Sequence, residues 1–132
     1  MFLNYLNDEQ KDLFIELAIK AAESNGIVAL EQKNMLKCFA IEMNMKPVYQ
    51  TNRDVETIID DVIKKTSEKE LKVILFEILG IIISDNVFDE KERYFTKHIV
   101  ERCNIDLKIV DKMVSLLEDY SRIYKEIIET VL

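Results

Sequence analysis

One run of thirteen residues, Leu71 to Ile83 (LKVILFEILGIII), constrains this chain more than any other. Ten of the thirteen are large and apolar, and only Lys72, Glu77 and Gly80 interrupt them. A helix lying on a core shows an apolar stripe and a polar face, whereas one apolar nearly all round is enclosed by neighbours. The run falls short of the roughly 20 residues that span a bilayer, and charged residues flank both ends. Periodicity cannot separate a buried helix from a buried strand, so length has to decide. The run is too long for an ordinary strand, and Ser67-Glu68-Lys69-Glu70 in front of it reads as a capping box that starts a helix. The expectation is a central helix with Phe76 in the core.

Around that helix the composition calls for more helices. Only two glycines and one proline occur in 132 residues, too few for the turns of an all-β fold. The length fits one domain spanning 1–132, large enough to close a single core without staples. An apolar fraction of 48% with 33% charged residues describes a globular chain. A net charge of −7 argues against nucleic acid, which is held by clustered Lys and Arg. Cys38 and Cys103 lack metal-site spacing, and the first thirty residues lack the order of a signal peptide. A reduced, cytoplasmic protein without a transmembrane segment is expected.

In chain order, Met1 to Leu6 is an apolar lead-in that packs on the domain or a partner. Asn7 or Asp8 caps a first helix that buries Leu13, Phe14, Leu17, Ala18, Ala21 and Ala22 and ends near Ser24, before the Asn25-Gly26 turn. A second helix from about Leu30 to Met43 buries Met35, Leu36, Phe39, Ala40 and Met43, and Pro47 stops it. Thr51 or Asn52 opens a third, burying Val55, Ile58, Ile59, Val62 and Ile63, with Asp60–Lys64 and Asp61–Lys65 pairs on its outer side. A fifth runs from about Asp89 to Arg102. After Asp106, the stretch Leu107 to Leu132 is one long helix, or two separated by a bend near Asp119. The expected architecture is an all-α, single-domain bundle of six or seven helices.

Shifting the chain by sixty residues aligns Ala21–Met45 with Ile81–Ile105, so that Phe39 meets Ile99 and Asn44 meets Asn104. Each stretch reads as helix, short loop and helix, an internal helix-loop-helix repeat. The loops carry Glu23-Ser24-Asn25-Gly26-Ile27-Val28 followed by Glu31 or Gln32, and Ser84-Asp85-Asn86-Val87-Phe88 followed by Glu92. This pattern resembles TerB-like domains, the tellurite-resistance and DnaJ-type co-chaperone helical module, in which Ala-Asp-Gly and a small aliphatic turn precede a Glu. Here the first copy has Asn-Gly and the second Asp-Asn. The resemblance covers Asp12 to the C-terminus. It implies a helical stress-response or tellurite-resistance module that binds a divalent cation, Ca²⁺ or Mg²⁺, through acidic residues.

Asp85, Asp89 and Glu92 are the candidate metal ligands, since hard cations prefer carboxylate oxygens. The same residues also read as a capping box, with Asp89 at the N-cap and Glu92 three residues on. His98 sits between Phe95 and Ile99; with a carboxylate beside it an imidazole does general-base work, yet no nucleophile accompanies it in sequence, and it reads as a partly buried structural residue. Met35, Met43, Met45 and Met113 are spaced as core fillers. Phosphate loops, zinc patterns and nucleophile elbows are absent. The expected function is a non-catalytic interaction module with a protein partner; the alternative is a metal-free structural adaptor or homodimer. The C-terminal set Leu116, Leu117, Tyr120, Ile123, Tyr124, Ile127, Ile128 and Val131 is too broad for one narrow stripe, which makes it the expected contact surface.

Overall fold

Helix starts are fixed by side chains that accept backbone N–H groups left orphaned in the first turn. In a computed structural model describing residues 1–24, 30–83 and 90–132, six α-helices and one 3₁₀ turn (Leu3–Tyr5) form, with no strand among those residues. Helix α1 (Asp8–Ala22) opens on a capping box: Gln10 N–H donates to Asn7 Oδ1 at 2.9 Å, and Asn7 N–H donates to Gln10 Oε1 at 2.9 Å. Helix α4 (Glu68–Ile83) repeats the device, with Ser67 N–H donating to Glu70 Oε1 at 2.9 Å and Glu70 N–H to Ser67 Oγ at 3.3 Å. Helix α2 is Leu30–Glu42 and α5 is Glu90–Cys103. Helix α3 (Val55–Lys65) is capped by Asp54, not by Thr51 or Asn52. Thr51 instead accepts from Arg53 N–H and donates to Glu16, which ties the preceding segment to α1. Asp106 caps α6 (Leu107–Val131) as expected.

The Leu71–Ile83 run is enclosed as its composition requires, but it shares the centre with α1. Helix α1 buries Leu13, Phe14, Leu17, Ala18, Ala21 and Ala22, and in addition Gln10, Ile15 and Ile19. It packs on α2, α3 and α4, while α4 packs on α1, α5, α6 and the 3₁₀ turn. Leu3 and Leu6 seal one end. Among the three interruptions of the run, Lys72 reaches Glu68 at 3.2 Å on the surface. Buried Glu77 accepts from Phe2 N–H at 2.8 Å and lies 2.8 Å from the Met1 amino group. A Cβ added to Gly80 would lie 3.9 Å from Leu117, ordinary contact distance.

Four expectations are corrected, the first on α2, where Met35 is half-buried at the edge of the core and not within it. Phe76 is only half-buried, its ring edge-on to Phe2 at 5.9 Å, because it faces the 3₁₀ turn and not α1. On α3, Ile58, Ile59 and Val62 are buried, but Val55 is half-buried and Ile63 exposed. The i,i+4 pairs give way to tertiary ones: Asp60 binds Arg102, Asp61 binds Arg53, and Lys65 lies 3.5 Å from Glu9. Cations on neighbouring elements reach these carboxylates.

Several features recur sixty residues apart among the described residues, some of them outside the aligned stretch. Asn7 and Ser67 are both N-caps, and Gln10 and Glu70 both close capping boxes. Gln32 and Glu92 are each buried in the first turn of their helices, at 1% exposure. Asn44 (φ 55°) and Asn104 (φ 52°) are both left-handed, the conformation that ends helices and that Asn tolerates. Around Asn44 a full Schellman pair forms, Met45 N–H to Ala40 O at 2.8 Å and Asn44 N–H to Ile41 O at 3.1 Å. A third helix follows in each half, though fifty-two residues apart and not sixty: α3 follows its Asp54 cap and packs on α1, and α6 follows its Asp106 cap and packs on α4. The halves meet at equivalent positions, where Gln10 Nε2 donates to Glu70 Oε2 at 2.9 Å.

Replacing Phe14, fully buried and edge-on to Phe39 at 5.2 Å, with Ala should cost about 3–5 kcal/mol in a denaturant titration. Phe76→Ala should cost clearly less; equal losses would contradict the burial pattern. The backbone N–H of Ser67, then the Gln10 amide, hold the Glu70 carboxyl below its ordinary pKa of 4.5. Its stabilisation is therefore complete above that value and is lost as pH falls through the lowered one. Glu70→Gln should accordingly be less stable than the parent at neutral pH, with the gap closing under acid. A gap independent of pH would contradict the charged cap.

Candidate interaction surface

Helix α6 does two different things along its length. Over its first three turns Val110 is buried, and Ile109, Met113, Val114 and Leu117 pack partly against the core. This is the part equivalent to α3, which stops at Lys65. Helix α6 does not stop there. It runs as one helix to Val131, without a break at Asp119, and every residue from 118 to 132 is exposed. At 1.5 Å per residue the free part is roughly 20 Å long.

The free part is patterned. Val110, Met113, Leu117, Tyr120, Tyr124, Ile127 and Val131 alternate steps of three and four, the spacing of a helix-pairing seam. Leu116, Ile123 and Ile128 widen the seam on both sides. All six charged residues of this part, Glu118, Asp119, Arg122, Lys125, Glu126 and Glu129, fall on the three remaining heptad positions. Tyr120 and Tyr124 stack at 6.2 Å, and both are more than half exposed. Arg122 bridges Glu126 at 3.3 Å and Asp119 at 3.9 Å on the outer side.

Beside this seam lie two apolar grooves that share Phe76. One, of about 430 Å³, has Gly80, Leu117, Tyr120 and Tyr124 in its walls. The other, of about 780 Å³, lies between the 3₁₀ turn and α4, with Phe2, Tyr5, Val73 and Met113 in its walls. Lys69 and Lys72 also line it, and the Lys69 ammonium sits 4.7 Å from the Tyr5 ring centre.

The candidate metal ligands fall elsewhere. Asp85 and Asp89 lie outside the described residues; Glu92 is in the first turn of α5 and buried. Among the described residues no three His, Cys, Asp or Glu side chains gather where they could hold a cation.

His98 is engaged in a cross-brace. Its Nε2 contacts Glu56, whose other oxygen accepts from Arg102, while Arg102 also donates to Asp60. The hydrogen bond to Asp60 leads the contributions that raise the Arg102 pKa above its ordinary value. The imidazole lies parallel to the Tyr94 ring at 6.4 Å. This network ties α5 to α3 and commits the imidazole nitrogen nearest Glu56 to a carboxylate. The sequence does not foretell it, because the partners lie more than forty residues apart.

Among the described residues no helix is long and apolar enough to cross a membrane. No family model, curated protein or solved structure matches this chain.

Both cysteines are free, Cys38 exposed and Cys103 half-buried. Burial pushes the Cys103 thiol up from 9.0 to about 11. The thiolate is the reactive form, so at pH 8 that shift alone lowers alkylation at Cys103 by about 100-fold. Iodoacetamide should modify Cys38 first, as read by peptide mass; equal rates would contradict the burial. Because the folded state favours the neutral thiol, this group's contribution to stability should fall as pH rises from 9.0 towards 11.

Proposed function

We propose that this chain is a non-catalytic helical interaction module, and that the free part of α6 with the adjoining grooves is its contact surface. One observation carries the reading: the apolar seam of α6 continues past the last residue that the domain itself covers. Large apolar side chains held in water have no role in the stability of the fold. Contiguous exposed apolar surface marks sites of association, and Tyr is enriched in interface centres. The TerB-like resemblance favours the same class of function, a stress-response module acting through protein contacts. Free Cys38 and Cys103 suit a reducing compartment such as the cytoplasm.

The test is capture of binding proteins from the native host by the immobilised chain, compared with a Tyr124→Glu, Ile127→Glu variant. Both positions are exposed, so circular dichroism should report an unchanged fold. The expected result is loss of capture by the variant, with capture retained by Glu56→Gln, which alters only the α3–α5 brace. Equal capture by all three proteins would overturn the assignment of this surface.

A further inference from the structure

We infer that the α6 surface is covered by a second copy of this chain, in a two-fold dimer whose seam is formed by the two free helix ends. The inference rests on the interaction-module reading and names its partner.

Three features favour a second copy. The first is area. Leu116, Tyr120, Ile123, Tyr124, Ile127, Ile128, Val131 and Leu132 are between 39% and 94% exposed. Together they present on the order of 800 Å², which is what one partner contributes to a standard stable interface.

The second is charge. The chain carries −7, so two copies repel at long range, and the surfaces that meet must not add like-charge contacts to that repulsion. The seam and its flanks contain no charged residue from Leu116 to Val131, apart from those on the outward positions. Two copies therefore close on one another without bringing like charges across the contact. A lipid surface is the poorer fit. Membrane-surface helices carry a polar face rich in Lys and Arg, whereas the outward face here has four acids against two bases.

The third is shape. A face apolar at four of seven heptad positions is wider than one crossing helix covers, so the partner must bring more than a single strip. The same chain supplies that second strip. The groove along Phe76 and Gly80 adjoins the seam, and Gly80 leaves its floor without a side chain. A two-fold pairing makes each copy donate its helix end and receive its partner's beside the groove, so the contact is self-complementary.

The experiment is sedimentation equilibrium on the full chain from low to high micromolar concentration. The expected mass is twice 15.5 kDa, falling towards 15.5 kDa on dilution. Tyr124→Glu, Ile127→Glu should weaken the dimer at least tenfold, and so should Val131→Glu, a change at the helix tip far from the core. Lys125→Ala, on the outward face, should leave it unchanged, and circular dichroism should show all the variants folded. A parent that stays monomeric at high micromolar concentration would overturn the second copy, as would a dimer indifferent to both seam variants. Co-sedimentation of the monomer with phosphatidylglycerol vesicles would assign the face to a membrane and also overturn it. Each of these outcomes leaves the capture experiment above free to succeed or fail by itself.

Discussion

The contact on which this architecture depends is the pairing of two enclosed helices, α1 and α4, sealed at one end by Gln10 and Glu70. Gln10 is 3% exposed, so its amide must find partners inside the protein. It does so three ways: Oε1 closes the α1 capping box, and Nε2 donates to Lys65 O at 2.8 Å and to Glu70 Oε2 at 2.9 Å. The same two side chains thus start both central helices and hold them together, with the end of α3 between them. Leaving a buried polar group of this kind unpaired costs about 1–3 kcal/mol, a sizeable share of a domain's total stability.

From that pair the rest follows by covering. Helix α1 is closed over by α2 and α3, and α4 by α5, α6 and the 3₁₀ turn. Each half has three helices, with a left-handed Asn after the second and a buried polar side chain in its first turn. At the joint between the halves, two capping residues sixty positions apart face each other and one needs to donate. Gln at position 10 supplies the N–H groups that Glu at position 70 lacks.

What the sequence made legible was whatever depends on near neighbours. The Asn7, Ser67 and Asp106 caps, the enclosed character of Leu71–Ile83, the buried stripe of α1 and the buried Leu36, Phe39 and Ala40 of α2 all follow from spacing within a few turns. What escaped depends on distant partners. Phe76 is as apolar as Leu75, and only the position of the 3₁₀ turn makes it a groove wall. Asp60 and Asp61 have lysines four residues away, yet each binds an arginine from elsewhere, Arg102 and Arg53 respectively. Spacing predicts Leu13, Phe14, Leu17, Ala18, Ala21 and Ala22 for the stripe of α1; that Gln10, Ile15 and Ile19 are buried as well depends on the three helices packed around it. The breadth of the apolar set on α6 was visible in sequence; that the helix continues straight past the domain was not, since a bend near Asp119 would have buried the same residues on two faces.

The free end of α6 is best understood through what it costs to order a helix. An isolated segment of about fourteen residues is marginal in water, because its first turn is unfavourable to nucleate. Here nucleation is supplied by the docked half, capped at Asp106 and packed on α4. The outward ion pairs of Arg122 with Asp119 and Glu126 add a few tenths of a kcal/mol each. A surface grown from a seeded helix reaches its partner already ordered, so little backbone entropy remains to be lost on contact. The continuity of α6 therefore links the two roles of this chain: the half that completes the second triplet is also the anchor that keeps the apolar seam in one conformation.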